Sequence, residues 1–234
     1  DQNDVTRVNM GINHFDFNWN LKENESFQTP EIIMVYSSDG INGMSQTFHN
    51  IFNNNIIRGK YKNRSRSVLI NNWEATYFDF DEEKILSLAR KAKALGVEMF
   101  VLDDGWFGTR NDDFQGLGDW YVNMEKLPNG ISGLSKKIND LGMKFGLWFE
   151  PEMANKNSDL YRAHPDWILS APGRYDTSSR NQHVLDFSRS EVVDYIYESV
   201  SKILRDANIE YIKWDMNRCM TEVFSHTKES KNQK

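Results

Sequence analysis

Cysteine is almost absent from this sequence, which limits what can hold the fold together. The 234 residues include a single cysteine, Cys219. One cysteine cannot form a disulfide within the chain, and no cluster of cysteine and histidine has the spacing of a zinc site. Disulfide-stapled and zinc-stabilised small domains are therefore excluded. No metal or other cofactor is predicted, and we expect a cytoplasmic protein.

Net positive charge and long apolar runs are also lacking. The net charge is −6, and lysine and arginine form no patch of the kind that binds nucleic acid. No apolar run approaches the ~20 residues of a membrane-spanning helix. The first residues hold no positively charged segment leading into an apolar core, so no signal peptide is visible. We expect neither nucleic acid nor a membrane as a partner.

The chain changes character near Arg66. Before it, alternating and β-branched residues predict two β-strands, 13–21 and 29–37, joined by a turn over 22–26, and a helix over 40–57. After it, strand and helix patterns alternate, which indicates βαβ units and a parallel sheet. The predicted strands cover 68–72, 97–102, 144–149 and 209–214, and the predicted helices cover 81–95, 131–141 and 190–207.

Local signals mark the ends of the helix predicted over 81–95. Asp81 is placed to cap its first turn, where Glu82 and Glu83 suit the positive end of the helix dipole. Gly96 follows as the C-terminal stop.

Three of the predicted strands end in carboxylates accompanied by tryptophan. These residues are Asp103, Asp104 and Trp106; Trp148 and Glu150; and Trp214 and Asp215, with Lys213 just before them. Each group taken alone is explained by turn chemistry and packing, but a repeated pairing of acid and indole is not. Carbohydrate hydrolysis uses this pairing, because indoles pack on a sugar ring, carboxylates and lysine bind its hydroxyls, and one carboxylate attacks the anomeric carbon.

Seven short segments carry a resemblance to a known family. They cover 71–75, 102–108, 118–120, 126–130, 146–152, 180–186 and 211–218. In this order they resemble segments of the bacterial α-galactosidases of glycoside hydrolase family 36, and the likeness runs from about residue 29 to 221. It implies a retaining glycoside hydrolase that releases terminal α-galactose from sugars of the melibiose and raffinose type. It also implies a bacterial cytoplasmic location and homo-oligomers, often tetramers.

The number of predicted strands limits how much of a barrel the chain contains. A (β/α)₈ barrel needs eight strands and ~250 residues, whereas four strands are predicted here. Together with the resemblance, this predicts an α/β fold, namely the first half of a (β/α)₈ TIM-type barrel over 66–221. The end of a β-sandwich domain and a linker helix are predicted over 1–65, and a polar tail or loop over 222–234. The inner face of this half barrel is predicted to include Leu69, Phe100, Phe145 and Ile212 and to lack an opposite wall.

The resemblance also implies residue roles. Asp215 matches the catalytic nucleophile, which forms a covalent glycosyl-enzyme. Asp103 and Asp104 match the pair that hydrogen-bonds the axial and primary hydroxyls of galactose, where the glucose epimer would leave buried acceptors unpaired. Further polar contacts match Lys213, Arg180 and Asn217, and aromatic walls match Trp73 and Trp148. For Lys213 and Arg180 the alternative is an ordinary ion pair with a neighbouring acid.

A retaining glycosidase also needs an acid/base carboxyl about 5 to 5.5 Å from the nucleophile. The family supplies it from a later barrel strand, so the resemblance implies that it is absent from this chain and that the isolated chain is inactive. Glu150 and Glu152 flank Pro151 at a strand end and are interpreted as supporting residues.

The expected partner is an α-galactoside oligosaccharide. The alternatives are a non-catalytic galactose-binding fragment, an α-N-acetylgalactosaminidase, and a galactosyl transferase of the raffinose-synthase type.

Overall fold

The computed structural model describes residues 6, 8–14, 17–175, 177, 179–229 and 233. The chain divides into two compact units, one ending at Arg66 and the other covering Ser67–Gln233. In chain order the α-helices are α1 (Gly40–Ile51), α2 (Trp73–Thr76), α3 (Glu82–Ala94), α4 (Gly130–Asp140), α5 (Asp159–Ala163) and α6 (Ser190–Asp206). The strands are β1 (Leu69–Asn71), β2 (Met99–Leu102), β3 (Lys144–Phe149), β4 (Met153–Ala154), β5 (His183–Val184) and β6 (Tyr211–Trp214).

The first unit contains the helix predicted over 40–57. It consists of α1 followed by a π-helical turn over Phe52–Ile56. No residue of α1 is buried, although Met44 and Phe48 share one face. Among the described residues of the whole chain, no helix is long and apolar enough to cross a membrane.

The two strands predicted over 13–21 and 29–37 do not form. The described residues of both segments belong to no strand, and only a turn remains between them, in which the Glu25 N–H donates to the Lys22 carbonyl over 3.1 Å. The rings of Trp19 and Phe27 pack 4.5 Å apart, so the side chains associate without pairing of the backbone. A hairpin is marginal without a third strand or a helix to pack against, so strand-like composition is not sufficient. Residues 15 and 16 of the first segment lie outside the described residues. The β-sandwich domain stays a prediction.

The second unit is built on a four-stranded parallel sheet in the order β1-β2-β3-β6. All four predicted strands and all three predicted helices of this unit form. A separate antiparallel pair joins β4 to β5. The segment after β6 has no helix or strand in its described part, but the buried Ser225 donates its Oγ hydrogen to Asp186 over 2.5 Å.

The core lies between the sheet and its helices. Phe100 and Phe145 are in register with each other and belong to the same buried cluster as Ile85 of α3 and Leu134 of α4. Side chains alternate between the faces of a strand, so Leu69, which is in register with Met99, lies on the opposite face from Phe100. Ile212 is in register with Leu147 and so lies on the same face as Phe145. This is the face that packs against the helices, so the prediction that Leu69, Phe100, Phe145 and Ile212 share the inner face is wrong for the last three.

Helix α3 ends as its sequence predicts. The Asp81 carboxylate accepts a hydrogen bond from the Lys84 N–H over 2.8 Å, which satisfies one of the free donors of the first turn. Gly96, with φ +88°, follows the last turn in a conformation that favours glycine.

The long connection between β2 and α4, residues 103–129, has no regular element of its own and is nevertheless packed. Trp106, Phe107 and Trp120 are buried in it, against Trp148 and Phe149 of β3. The half-buried Lys126 ties it together, because the ammonium donates to the carbonyls of Phe78, Gly105 and Arg110 at 2.9, 3.0 and 3.2 Å.

Candidate active site

The carboxyl ends of the four parallel strands place polar side chains together at the C-terminal end of the sheet. Asn71 ends β1, Asp103 follows β2, and Trp148 of β3 is in register with Lys213 of β6. Asp215 comes directly after β6, with its N–H donating to the Phe149 carbonyl over 2.8 Å. Parallel strands expose their C-terminal ends together, which explains why residues so far apart in sequence meet here.

Asp103 connects the polar side chains at this end of the sheet. Its Oδ2 accepts hydrogen bonds from Asn71 Nδ2 at 2.5 Å and Lys213 Nζ at 2.8 Å, which links three strands. Its own N–H donates to the side-chain carbonyl of Asn72 over 2.8 Å. The ion pair weighed as an alternative for Lys213 therefore exists, and its partner is itself a predicted site residue.

The carboxylate of Asp215 is held at both oxygens, and its Oδ1 accepts from the Met216 N–H at 3.1 Å. Its Oδ2 accepts from Trp148 Nε1 at 3.1 Å and from Asn217 Nδ2 at 2.9 Å. Burial acts to raise the pKa of Asp215, but these hydrogen bonds and the charge of Lys213 outweigh it, and the pKa lies below its usual value. The carboxylate is thus ionised at neutral pH, as a nucleophile requires.

Asp104 is paired with Arg110 of its own loop, whereas Lys213 is paired with Asp103. Arg110 holds Asp104 with Nε at 3.1 and 3.2 Å from its two oxygens and with Nη2 at 2.8 Å from Oδ2. Both side chains are almost completely buried. Burial raises the pKa of Asp104, and Arg110 acts in the opposite direction.

Glu150, which directly follows β3, is buried at the same end of the sheet. Its Oε1 accepts from the Asn217 backbone N–H at 2.5 Å, and its Oε2 accepts from Gln182 Nε2 at 3.0 Å. Burial raises the pKa of Glu150, and the nearby Asp215 raises it further. Through Asn217, Glu150 supports the segment that carries Asp215, which fits its interpretation as a supporting residue. Glu152 accepts from Trp214 Nε1 at 2.8 Å.

The two predicted aromatic walls differ. Trp73 is half-buried and meets Tyr77 and Phe78 edge to face, with ring centroids 5.2 and 5.1 Å apart. Trp148 is 1% exposed and stacks parallel to Phe107 with 6.2 Å between centroids. Trp148 therefore contributes its indole N–H to the site, rather than the open ring face of its predicted role.

Arg180 lies apart from the other predicted residues. It is exposed, has φ +53°, and approaches Asp113 at 3.8 Å. Asp113 in turn lies 3.7 Å from Arg110. Arg180 is thus linked to Asp104 through Asp113 and Arg110.

Sequence reasoning missed three residues of this region. They are Asn71, Arg110 and Asn155. Asn71 could have been found, because it ends a predicted strand like the residues that were chosen. No pattern distinguishes Arg110 or Asn155 from an exposed loop residue. The described residues hold no group of three His, Cys, Asp or Glu side chains placed to bind a metal ion.

Comparison with known proteins bears on this geometry. The sequence model of the melibiase family matches residues 26–234. The α-galactosidase AgaA of Geobacillus stearothermophilus is 60% identical over 225 residues, and the α-galactosidase Mel36A of Lactobacillus acidophilus is 53% identical over 224 residues. Both alignments cover 96% of this chain and 31% of the relative.

Solved structures agree. The crystal structure of the GH36 α-galactosidase AgaA from G. stearothermophilus matches with a TM-score of 0.92 and 58% identity, over 95% of this chain and 31% of that one. A variant of AgaA in complex with raffinose matches with the same TM-score. The resemblance to GH36 enzymes and the predicted fold class, four parallel strands of a (β/α)₈ barrel, are confirmed.

The chain spans about 31% of the length of these relatives. The family match covers well over half of the chain's own residues, including every segment that forms the site. The chain belongs to the melibiase family.

Proposed function

We propose that this chain works as part of a longer protein and supplies the first half of the catalytic barrel of a retaining α-galactosidase. The reaction would release terminal α-galactose from oligosaccharides of the melibiose and raffinose type. The observation that supports it best is the ionised Asp215 at the end of β6, oriented by Trp148 and Asn217.

The proposed mechanism is a double displacement. Asp215 attacks the anomeric carbon and forms a glycosyl-enzyme, which water then hydrolyses. The leaving oxygen needs a proton from a second carboxyl. Asp103 is paired with Lys213 and Asp104 with Arg110, so neither is free to supply it. Glu150 has the raised pKa of an acid, but it is only 1% exposed, and both of its oxygens accept hydrogen bonds from the protein, so a leaving oxygen has no access to it.

The acid/base is therefore expected outside these 234 residues. On this account the isolated chain does not turn over substrate.

Substrate recognition is assigned to the two aspartates after β2. A charged acceptor in a desolvated site discriminates strongly against a sugar that lacks the matching hydroxyl, because the acceptor is then left unpaired. Asp103 and Asp104 would thus read the axial and primary hydroxyls of galactose. The raffinose and stachyose complexes of AgaA variants support this class of substrate.

The decisive experiment uses the full-length protein that contains this chain and an aryl α-galactoside. Proton NMR of the first-formed sugar should show α-galactose, whereas initial β-galactose would exclude retention and the role of Asp215. Binding of galactose without turnover would instead indicate a binding protein. Faster hydrolysis of the aryl α-N-acetylgalactosaminide, or transfer of galactose to sucrose in preference to water, would indicate one of the related activities.

Location and assembly belong to the same proposal. The single cysteine fits the cytoplasm, and the family resemblance implies homo-oligomers. Cell fractionation and light scattering of the full-length protein test these two points.

A further inference from the structure

We propose that Arg110 is a positioning residue for galactose recognition, which acts through Asp104 and does not contact the sugar. The inference rests on the proposed role of Asp104. The two neighbouring aspartates have different partners. Asp103 is paired with the half-exposed Lys213 of another strand, and Asp104 is paired with the buried Arg110 of its own loop.

The contact between Arg110 and Asp104 fixes the direction of the carboxylate. Nε and Nη2 of the guanidinium both donate to it, with the shortest distance 2.8 Å. A two-point contact of this kind restricts rotation of the carboxylate, which a single ammonium would not do. The lone pairs left on Asp104 are thereby aimed in a constant direction.

Arg110 is itself immobilised on its other side. Its Nη1 donates to the Gln115 carbonyl at 3.1 Å and to Asn155 Oδ1 at 3.0 Å. Asn155 is fully buried, and its amide also accepts from the Leu117 N–H and donates to the carbonyls of Asp113 and Asn181. The guanidinium is thus held between Asp104 and the Asn155 amide, which is itself fixed by its other hydrogen bonds.

Burial separates this role from direct binding. Arg110 is 1% exposed, and its guanidinium carbon lies 5.4 Å from the centroid of the Phe78 ring. Its donors are directed to Asp104, Gln115 and Asn155. Because the guanidinium is this deeply buried, a sugar has no exposed donor of Arg110 to meet.

Charge gives Arg110 a second effect on Asp104. The other charged groups that act on this carboxylate are Asp103, Asp113 and Glu150, which are acidic, and Lys126, which is committed to three backbone carbonyls. Burial already raises the pKa of Asp104, and Arg110 opposes that rise. Removing the guanidinium would raise the pKa further and convert an acceptor of sugar hydroxyls into a protonated group.

The test measures pH profiles of kcat/KM for an aryl α-galactoside with the full-length protein. Arg110→Gln should lower kcat/KM about 100-fold at pH 6 and move the acid limb upward by about one pH unit or more. Arg110→Lys should keep the acid limb near that of the wild type, because the charge remains, while losing about tenfold through the weaker geometry. Arg90→Gln, which removes an exposed ion pair with Glu83, is the control and should change neither value.

A double-mutant cycle tests whether Arg110 acts through Asp104. If it does, adding Arg110→Gln to Asp104→Asn should reduce kcat/KM by no more than about threefold beyond Asp104→Asn alone. Full additivity, or a loss in Arg110→Gln that is the same at every pH, would overturn the proposal. If Arg110→Gln does not fold, Arg110→Lys carries the same test. A folded lysine variant whose acid limb moves as far as one pH unit would then contradict the charge argument.

The outcomes also separate this inference from the proposed function. A wild type without turnover refutes the function itself. An active wild type together with an active Asp104→Asn refutes the role of Asp104.

Discussion

The central and outer strands of the sheet differ in burial and in chemistry. Every residue of β2 is buried, and so is β3 except for Lys144, whereas β1 and β6 contain no buried residue. The nucleophile position nevertheless follows β6, and the aspartates proposed to bind galactose follow β2. The fold of this unit is thus held in the middle of the sheet, while its proposed bond-breaking chemistry lies at the edge.

This difference indicates what the outer strands require. An edge strand presents unpaired N–H and C=O groups, and it is stabilised when another strand pairs with it. In an eight-stranded barrel β1 and β6 would both gain such a neighbour. In the full-length protein, we expect a change among the site residues that follow the outer strand β6 to affect activity more than stability, and a change in the central strands to do the reverse.

The largest effect is expected at the edge. In the full-length protein, Asp215→Asn should lower kcat by ~10³-fold or more, because no other described carboxylate is placed to replace the nucleophile. The melting temperature should stay within a few degrees of the wild type. Asp206→Asn on the exposed end of α6 is the matched control, and comparable activity of the two variants would refute the assignment of Asp215.

A central substitution should reverse that pattern. Leu147→Ala removes a side chain of β3 that is completely buried in the core, so the free energy of unfolding should fall by about 2–5 kcal/mol. Hydrogen exchange of the sheet amides, followed by mass spectrometry in the full-length protein, would measure it. Exchange unchanged from the wild type would mean that the centre of the sheet is not what stabilises this unit.

Trp148→Phe tests a link between the two regions, because Trp148 of the central strand β3 donates a hydrogen bond to Asp215, which follows the outer strand β6. The phenyl ring fills most of the space but cannot donate to Asp215, so we expect kcat/KM to fall about tenfold. The hydrogen bond favours the ionised carboxylate, and its loss raises the pKa of Asp215. Because the pKa of Asp104 lies above its usual value and that of Asp215 lies below, Asp104 still sets the acid limb of the pH profile, and the fall should appear as a lower plateau above that limb. A plateau equal to that of the wild type would contradict this assignment.

The smallest effect, and the most informative about the edge, is expected for Leu69→Ala. Leu69 is 44% exposed, so its truncation should change the stability of the 234-residue chain by under ~1 kcal/mol. In the full-length protein the loss should be larger, because a completed barrel would bury this side chain. Denaturant unfolding of the short chain and hydrogen exchange in the long one allow the comparison. Equal, small effects in both would mean that β1 remains an open edge.

The sequence predicted the elements whose signals are local. Asp81 caps α3 through a bond to a residue three positions away, so its role is readable from spacing alone. The strand ends are also local, because the acids follow apolar runs directly. The face of Phe100 was not readable, since β2 is buried on both sides and shows no alternation.

What the sequence could not predict depends on distant partners. Arg110 is buried because Asp104 and Asn155 accept its hydrogen bonds, and no spacing rule places Asn155 beside it. The role of Trp148 as an aromatic wall was predicted from the family resemblance. Its indole N–H instead reaches Asp215, which lies far along the chain. The paired strands predicted in the first unit failed for a related reason, since pairing needs a sheet to join.

The chemical reactivity of Lys126 can report movement of the 103–129 connection, which carries the proposed sugar-binding residues. An amine reagent cannot attack an ammonium that donates to three carbonyls until the connection opens and the lysine loses its proton. Burial lowers the pKa of Lys126, but this effect ends when the connection opens, so the exposed amine then reacts like that of any other exposed lysine. Exposed lysines such as Lys91 react without waiting. The ratio of the acylation rate of Lys126 to that of Lys91 would therefore report how often the segment opens. Saturation with galactose should slow the acylation of Lys126 and leave that of Lys91 unchanged.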